Sequence, residues 1–257
     1  MIVDGSNANT ATTVLAYTSG IVQGYSSRIA ARALERVGRE LYQPIELRTS
    51  IWYNPELATA KFLIPGMIGF ILMITGVVST SLSVVREKER GTMEQLMLSP
   101  LRTVDVILGK TIPYLVIALF SAVLILLVSV LVFGVAVKGS LFWLFLGIGL
   151  FLLCALGQGI LISAVAQTQQ VAFMVSVFSS LLPTFLLSGF IFPISSMPVP
   201  LQILSYAAPA KYFLVIARSV ILKGTGPEAY WEQYVCLALF AGAVLALSAR
   251  KMVRKPA

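Results

Sequence analysis

Read only for hydrophobic and polar positions, the chain is a series of long apolar stretches separated by short polar connections. Five stretches, at about 62–85, 111–134, 141–166, 171–192 and 234–249, approach or exceed the roughly 17 to 25 residues, at about 1.5 Å rise each, that a helix needs to cross a bilayer. The last is the shortest, and Trp231 and Tyr234 serve as interfacial anchors at its outer end. None of the five contains Asp, Glu, Lys or Arg, and the chain has no His. Proton relays and many ion-coupled carriers need an ionisable group inside the membrane, so this pattern argues against them.

Ahead of the first span the pattern shortens. Over residues 21–41, Ile21, Val22, Tyr25, Ile29, Leu34, Val37 and Leu41 fall near one helical face and Arg28, Arg32, Arg36 and Arg39 off it. Pro44 stops that helix. Ile45, Leu47, Ile51 and Tyr53 then lie on one side of a strand before Asn54-Pro55 turns the chain toward the membrane. An α+β fragment over residues 1–61 fits, with a solvated amphipathic arm as the alternative. The predicted fold is an α-helical polytopic membrane protein: a small α+β N-terminal fragment, then a transmembrane domain over 62–257.

Composition agrees with the pattern. Of 257 residues, 58% are hydrophobic and 12% charged, and the mean hydropathy of +0.89 exceeds what a soluble domain carries. The net charge of +8 does not gather on one face, and many basic residues sit at the ends of apolar segments. That placement reads as membrane orientation, not as nucleic-acid binding. Cys154 and Cys236 each lie inside an apolar segment without a CxxC and read as packing residues, so no disulfide and no metal site is expected.

Arg86, Lys88, Arg90, Arg102 and Lys110 mark the connection 86–110 as cytoplasmic, and Arg250, Lys251, Arg254 and Lys255 do the same for the C-terminal tail. The connection 135–140 has only Lys138, and the longer 193–233 only Lys211, Arg218 and Lys223, so both are expected outside. The uncharged turn Gln167–Gln170 falls inside by parity. Five spans with the C-terminus inside put the N-terminus outside. Residues 1–61, with six basic and five acidic side chains, have no signal peptide or span of their own to carry them across. An upstream span and more of an external domain are therefore expected.

The run REKERGTMEQLMLSP begins the long cytoplasmic connection. Thr92 and Gln95 have capping-box spacing, Glu94 stands in the first turn of the helix they would start, and Gly91 lets the chain turn. Met93, Leu96 and Met97 share a face, and Ser99-Pro100 ends the helix. Arg86 with Glu89 and Glu87 with Arg90 stand three apart and suit pairing along the preceding helix. Such an elbow is either a solvated positive flank or a handle for a soluble partner.

Three stretches carry a resemblance. EKERGTMEQLMLSP, Glu87 to Pro100, resembles the cytoplasmic signature of ABC-2-type exporter permeases. FIFPISSMPVPLQILSYAAPAKYFLVIARSVILKG, Phe190 to Gly224, resembles that family's outer re-entrant segment. IWYNPELATAKFLIPG, Ile51 to Gly66, is similar to the entry sequence of the bacterial drug-efflux branch with a large extracytoplasmic domain. Those permeases have six spans, one more than the five found here. The resemblance implies that the elbow is a coupling helix docking into an ATP-binding subunit. Glu87, Glu89, Arg90, Gly91, Thr92 and Glu94 are then coupling positions, not catalytic ones. Gln167 and Gln170 become a second cytoplasmic contact. ATP and Mg belong to the partner, since this chain has no G-x-x-x-x-G-K-[ST] loop and no cofactor site of its own.

A substrate route is less specific. Gln158, Ser176, Ser179, Ser180 and Thr184 are candidates to face a path, with Pro183 kinking the fourth span, although such residues more often hydrogen-bond neighbouring helices. Ala155, Gly159 and Ser163 form a small-xxx-small row whose plainer role is packing within one subunit. Pro193, Pro209 and Tyr212 suit an outer gate. The family implies a second permease copy, identical or related, and drug-like or lipid-like cargo in a bacterial inner membrane. An energy-independent channel or carrier and a structural membrane subunit remain as alternatives. An intramembrane enzyme is disfavoured, with no His and no Asp in a span.

Overall fold

The structure is a computed structural model that describes residues 2–4, 8–36, 50–52, 59–92 and 103–253. It divides into two units, Met1–Phe62 and Leu63–Ala257. In the first, strand β1 (Ile2–Asp4), helix α1 (Ala8–Arg36) and strand β2 (Ser50–Trp52) follow one another. The strands pair in parallel, Val3 opposite Ile51. Parallel neighbours need a crossover connection, and α1 lies within it.

This helix begins well before the expected residue 21. Ile21 and Tyr25 of the anticipated apolar face are 72% and 61% exposed, while Val22 and Ile29 are half-buried. The short strand falls within the stretch expected to be extended. Pro44, Ile45, Leu47, Tyr53 and Asn54-Pro55 lie outside the described residues, as do Met93, Glu94, Gln95 and the rest of the expected elbow helix.

The second unit is helical. Helix α2 (Thr59–Glu89) runs on past the apolar span and carries the charged run as its last turn, the helical extension on which the expected charge pairs were placed. Helix α3 (Thr103–Leu131) opens with Asp105 in its first turn, where the helix dipole favours an acid. Lys110 is thus helical, and the connection is shorter than 86–110. Helices α4 (Leu141–Val165), α5 (Gln169–Leu182) and α8 (Trp231–Val253) supply the other spans. Between α5 and α8 stand α6 (Val199–Ser205) and α7 (Pro209–Arg218).

Among the described residues five helices are long and apolar enough to cross a membrane. The α6–α7 pair, bent by 79°, makes a sixth if it counts as one broken span. The chain is thus a multi-pass membrane protein with five to six candidate spans. Regular α-helix in the fourth span ends at Pro183, from which Pro183–Leu187 continues as a π turn. Pro183 removes a backbone donor and crowds the preceding turn, so the helix widens there.

Helix α4 is the centre of the unit. In lipid, helices associate through close packing and hydrogen bonds because their surroundings are as apolar as they are. The row Ala155, Gly159, Ser163 meets α2: a Cβ on Gly159 would stand 2.6 Å from the Val77 carbonyl oxygen, and one on Gly76 3.1 Å from the Ala155 methyl. Backbone cannot retreat from such a contact, so only glycine fits at 159, and the row packs within the chain. On the opposite side Ser248 donates to the Gly157 carbonyl (2.9 Å) and Tyr234 to that of Trp143 (2.8 Å), fastening α8. Cys154 is buried with its thiol 3.5 Å from the Leu237 carbonyl, and both cysteines are free.

Candidate functional site

The last turn of α2 holds four consecutive ionisable residues, Arg86 to Glu89, and the last three diverge by about 100° from one to the next. Each consequently reaches a different neighbour. The Glu87 carboxylate pairs with Lys110 of α3. Lys88 donates to the Ser163 carbonyl of α4. The Glu89 carboxylate accepts from the Gln169 backbone N–H of α5 at 2.8 Å and from the Gln169 side-chain amide.

Both helix-end contacts have the favourable sign. Lys88 sits at the C-terminus of α4, where carbonyls lack intrahelical partners and the dipole is negative. Glu89 sits at the N-terminus of α5, where free N–H groups and a positive dipole end receive it. Thr168 caps α5 by accepting from the Val171 N–H at 3.3 Å. Beneath the polar contacts, Val85, Ala166 and Ala172 form a small buried apolar cluster flanked by Leu82.

Past Glu89 the helix closes. Gly91 has φ of 72° and its N–H bonds the Lys88 carbonyl at 3.2 Å. This is the left-handed conformation that ends helices and that glycine adopts without strain. Thr92 donates its hydroxyl back to the Glu87 carbonyl at 3.2 Å. Arg90, Gly91 and Thr92 are exposed.

The geometry corrects the expected pairings. Glu89 and Glu87 do not bond Arg86 and Arg90 along the helix but reach other helices, because the tight bundle at this level brings Gln169 and Lys110 within range. Arg86 instead lies 3.5 Å from the Gln169 side-chain oxygen. In the second connection Gln169 makes the contact with α2, while Gln167 and Gln170 are exposed. Thr168 standing before an apolar run is an N-cap signal, and it would have put Gln169 at the first helical position.

The candidate path residues lie in a helix seam. Gln158 donates to the Ser179 hydroxyl (3.2 Å) and carbonyl (3.3 Å). Ser176 shares a 2.6 Å hydrogen bond with Ser81 of α2, and Ser180 donates to the Ser176 carbonyl at 2.7 Å. Ser176, Ser180 and Thr184 are buried. Among the described residues the Thr184 hydroxyl has no partner.

At the other end of the unit, Pro209 opens α7 and is buried, Pro193 is half-buried on the preceding segment, and Tyr212 donates to the Tyr206 carbonyl at 2.9 Å. Lys211 lies 3.2 Å from the Tyr206 ring centroid and bonds the Ser205 hydroxyl at 3.0 Å. Residues not anticipated as functional close this end. The Arg218 guanidinium donates to the Gly189 and Phe190 carbonyls, both at 3.2 Å. The Phe190 ring occupies the space that a Cβ on Gly66 would need. Phe190 and Phe185 meet edge-on at 5.4 Å, and Phe185 and Phe70 at 4.6 Å. Nearby, burial raises the Tyr230 phenol above its ordinary pKa while its hydroxyl bonds the Thr225 carbonyl at 3.1 Å.

Comparison with known proteins places this arrangement. The family described as "ABC-2 family transporter protein" matches residues 1–250. The probable multidrug ABC transporter permease YbhS of Escherichia coli (strain K12) is 40% identical over 227 residues, 88% of this chain and 59% of the relative. The probable multidrug ABC transporter permease YbhR of the same strain is 35% identical over 257 residues, covering 98% and 68%. The inner membrane transport permease YhhJ, also of that strain, is 29% identical over 251 residues, covering 96% and 65%. The chain thus spans 59 to 68% of the length of these relatives. With a match over nearly its whole length and relatives above 30% identity, the chain belongs to the ABC-2 family of transporter proteins, as a membrane-spanning permease.

Proposed function

We propose that the chain forms the membrane path of an ATP-driven exporter powered by a separate ATP-binding subunit, which carries ATP and Mg. Its elbow, including Glu94 and the segment up to 110, receives the force. The observation that carries this reading is the divergence of Glu87, Lys88 and Glu89 onto α3, α4 and α5. A displacement of the elbow reaches four helices at once through these contacts, which a merely solvated flank would not need. Gln169, with Gln167 and Gln170 beside it, makes the turn before α5 part of the same surface.

The proposed orientation puts the elbow and the C-terminus in the cytoplasm of a bacterial inner membrane. The first unit, an α+β domain, then stands outside with the α6–α7 segment. Two permease copies, identical or related, surround the path, and Pro193, Pro209 and Tyr212 belong to its outer gate. The cargo is apolar or amphipathic, drug-like or lipid-like, in keeping with the printed names of YbhS and YbhR and with spans free of ionisable centres. Gln158, Ser176, Ser180 and Thr184 would face that path only after the α2–α5 seam opens.

The test is export of an amphipathic dye from cells making the chain with its ATP-binding subunit. Glu89→Ala removes the α5 contact, and Gly91→Pro forces φ to about −65° where the chain needs 72°. Both variants are expected to insert normally and to lose export; parental export by both overturns the coupling reading in favour of an energy-independent carrier. Orientation is tested at Ser27→Cys, in a chain with Cys154 and Cys236 replaced by serine. A membrane-impermeant thiol reagent should label it in intact cells, and labelling only after permeabilisation overturns the topology.

A further inference from the structure

Beside the coupling contacts lies a cleft of about 500 Å³, which Glu87 and Thr92 line in part. One wall is a single face of α2 and the residue that follows it: Ser79, Ser83, Arg86 and Arg90 stand at intervals of four, three and four residues, the Arg90 N–H still bonding the Arg86 carbonyl at 3.1 Å, and Tyr114 of α3 also lines the cleft. Such spacing stacks the four side chains in one row along the helix. Residues 62–85 contain no charge, so Arg86 marks the level at which α2 leaves the hydrocarbon. The hydroxyls lie on the membrane side of that level, the two guanidinium groups at and beyond it, and Val78 and Leu82 add an apolar flank.

We propose that this cleft binds the headgroup of an anionic phospholipid from the cytoplasmic leaflet, an assignment that rests on the orientation given above. The polarity gradient follows the lipid: phosphate against Arg86 and Arg90, glycerol and ester oxygens against Ser83, Ser79 and Tyr114, acyl chain along Val78 and Leu82. Guanidinium groups match phosphate oxygens with paired, charge-assisted hydrogen bonds. Basic pockets between transmembrane helices at the cytoplasmic face suit anionic headgroups. The one acid lining the cleft, Glu87, is held by Lys110. That ion pair leaves the two arginines as the net charge facing the ligand.

The experiment uses the full chain purified in an uncharged detergent and titrated with spin-labelled phosphatidylglycerol, phosphatidylcholine of the same chain length, and inorganic phosphate as competitor. Phosphatidylglycerol should bind best. Arg86→Gln and Arg90→Gln should weaken it about fivefold each at low salt, at about 1 kcal/mol per basic residue, whereas Lys138→Gln, the same charge change in the connection between α3 and α4, should not. Lys110→Gln, outside the cleft, should also weaken binding by freeing the Glu87 carboxylate, and Glu87→Gln in the same chain should restore it.

Equal binding of phosphatidylcholine, or no loss in the double arginine variant, overturns the proposal. Displacement of the lipid by phosphate at equal concentration identifies a soluble anion as the ligand instead and also overturns it. Binding in detergent needs neither orientation nor an ATPase. Glu89→Ala, expected to abolish export while leaving phosphatidylglycerol binding within about twofold, therefore separates failure of this site from failure of the coupling reading.

Discussion

At the elbow end, α2 is held to three helices by Glu87, Lys88 and Glu89, polar contacts at or near the surface. At the opposite end, closure depends on Phe190, 3% exposed, against Gly66 and Phe185, and on Arg218, half-buried over two backbone carbonyls. The two kinds of fastening differ in what it costs to undo them. Water can replace the elbow's partners as they part, so that end rearranges cheaply. Opening the opposite end strips packed rings of their contacts and leaves carbonyls unpaired away from water, so it stays shut unless driven. On the orientation proposed above, a compliant inner face and a stiff outer closure would let the chain open outward only when energy is supplied.

The sharpest way to break this comparison is at the stiff end. Phe190→Ala should cost about 3 kcal/mol, the usual loss for truncating a buried aromatic, read as a lowered thermal midpoint in detergent, and it should leak dye without the ATP-binding subunit. A stability close to the parental value would mean that the ring is no closure. Arg218→Met, which keeps the apolar stem but leaves the Gly189 and Phe190 carbonyls without these donors, should cost about 2 kcal/mol in the same measurement. Arg218→Lys should recover only part of that, because one ammonium does not reproduce the planar fork.

Smaller effects belong to the seam and the elbow. Ser81→Ala, which removes the hydrogen bond to Ser176 between α2 and α5, should cost about 0.6 kcal/mol, the mean for interhelical bonds in membranes. Glu89→Ala should leave the thermal midpoint where it was while removing export. A large drop in stability for Glu89→Ala, or none for Arg218→Met, would reverse the assignment of compliant and stiff ends.

The spans were legible in the sequence because lipid imposes a long uncharged run on each helix, and all five expected stretches overlap a helix in the structure. Their ends were less legible. Hydropathy marks where the hydrocarbon stops, while the helix stops only where its hydrogen bonds do. For that reason α3 begins before Lys110, whereas the continuation of α2 through Arg86–Glu89 was readable from the spacing of its charges. Gly91 was readable as a turn because its chemistry is local. The partners of Glu87 and Glu89 were not, since the opposite charges at helical spacing were Arg90 and Arg86, and only the bundle brings Lys110 and Gln169 within reach.

By itself, then, the sequence determined a multi-pass helical membrane protein, a charged run that turns at a glycine, and spans without ionisable centres. Each follows from composition over a window or from one residue's backbone preference. Tertiary structure alone decided that Ala155, Gly159 and Ser163 pack within the chain, that three adjacent charges serve three different helices, and that Arg218 and Phe190 close the far end. These are contacts between residues distant in sequence, and which groups meet depends on how the helices pack around α4, which no window of the sequence contains.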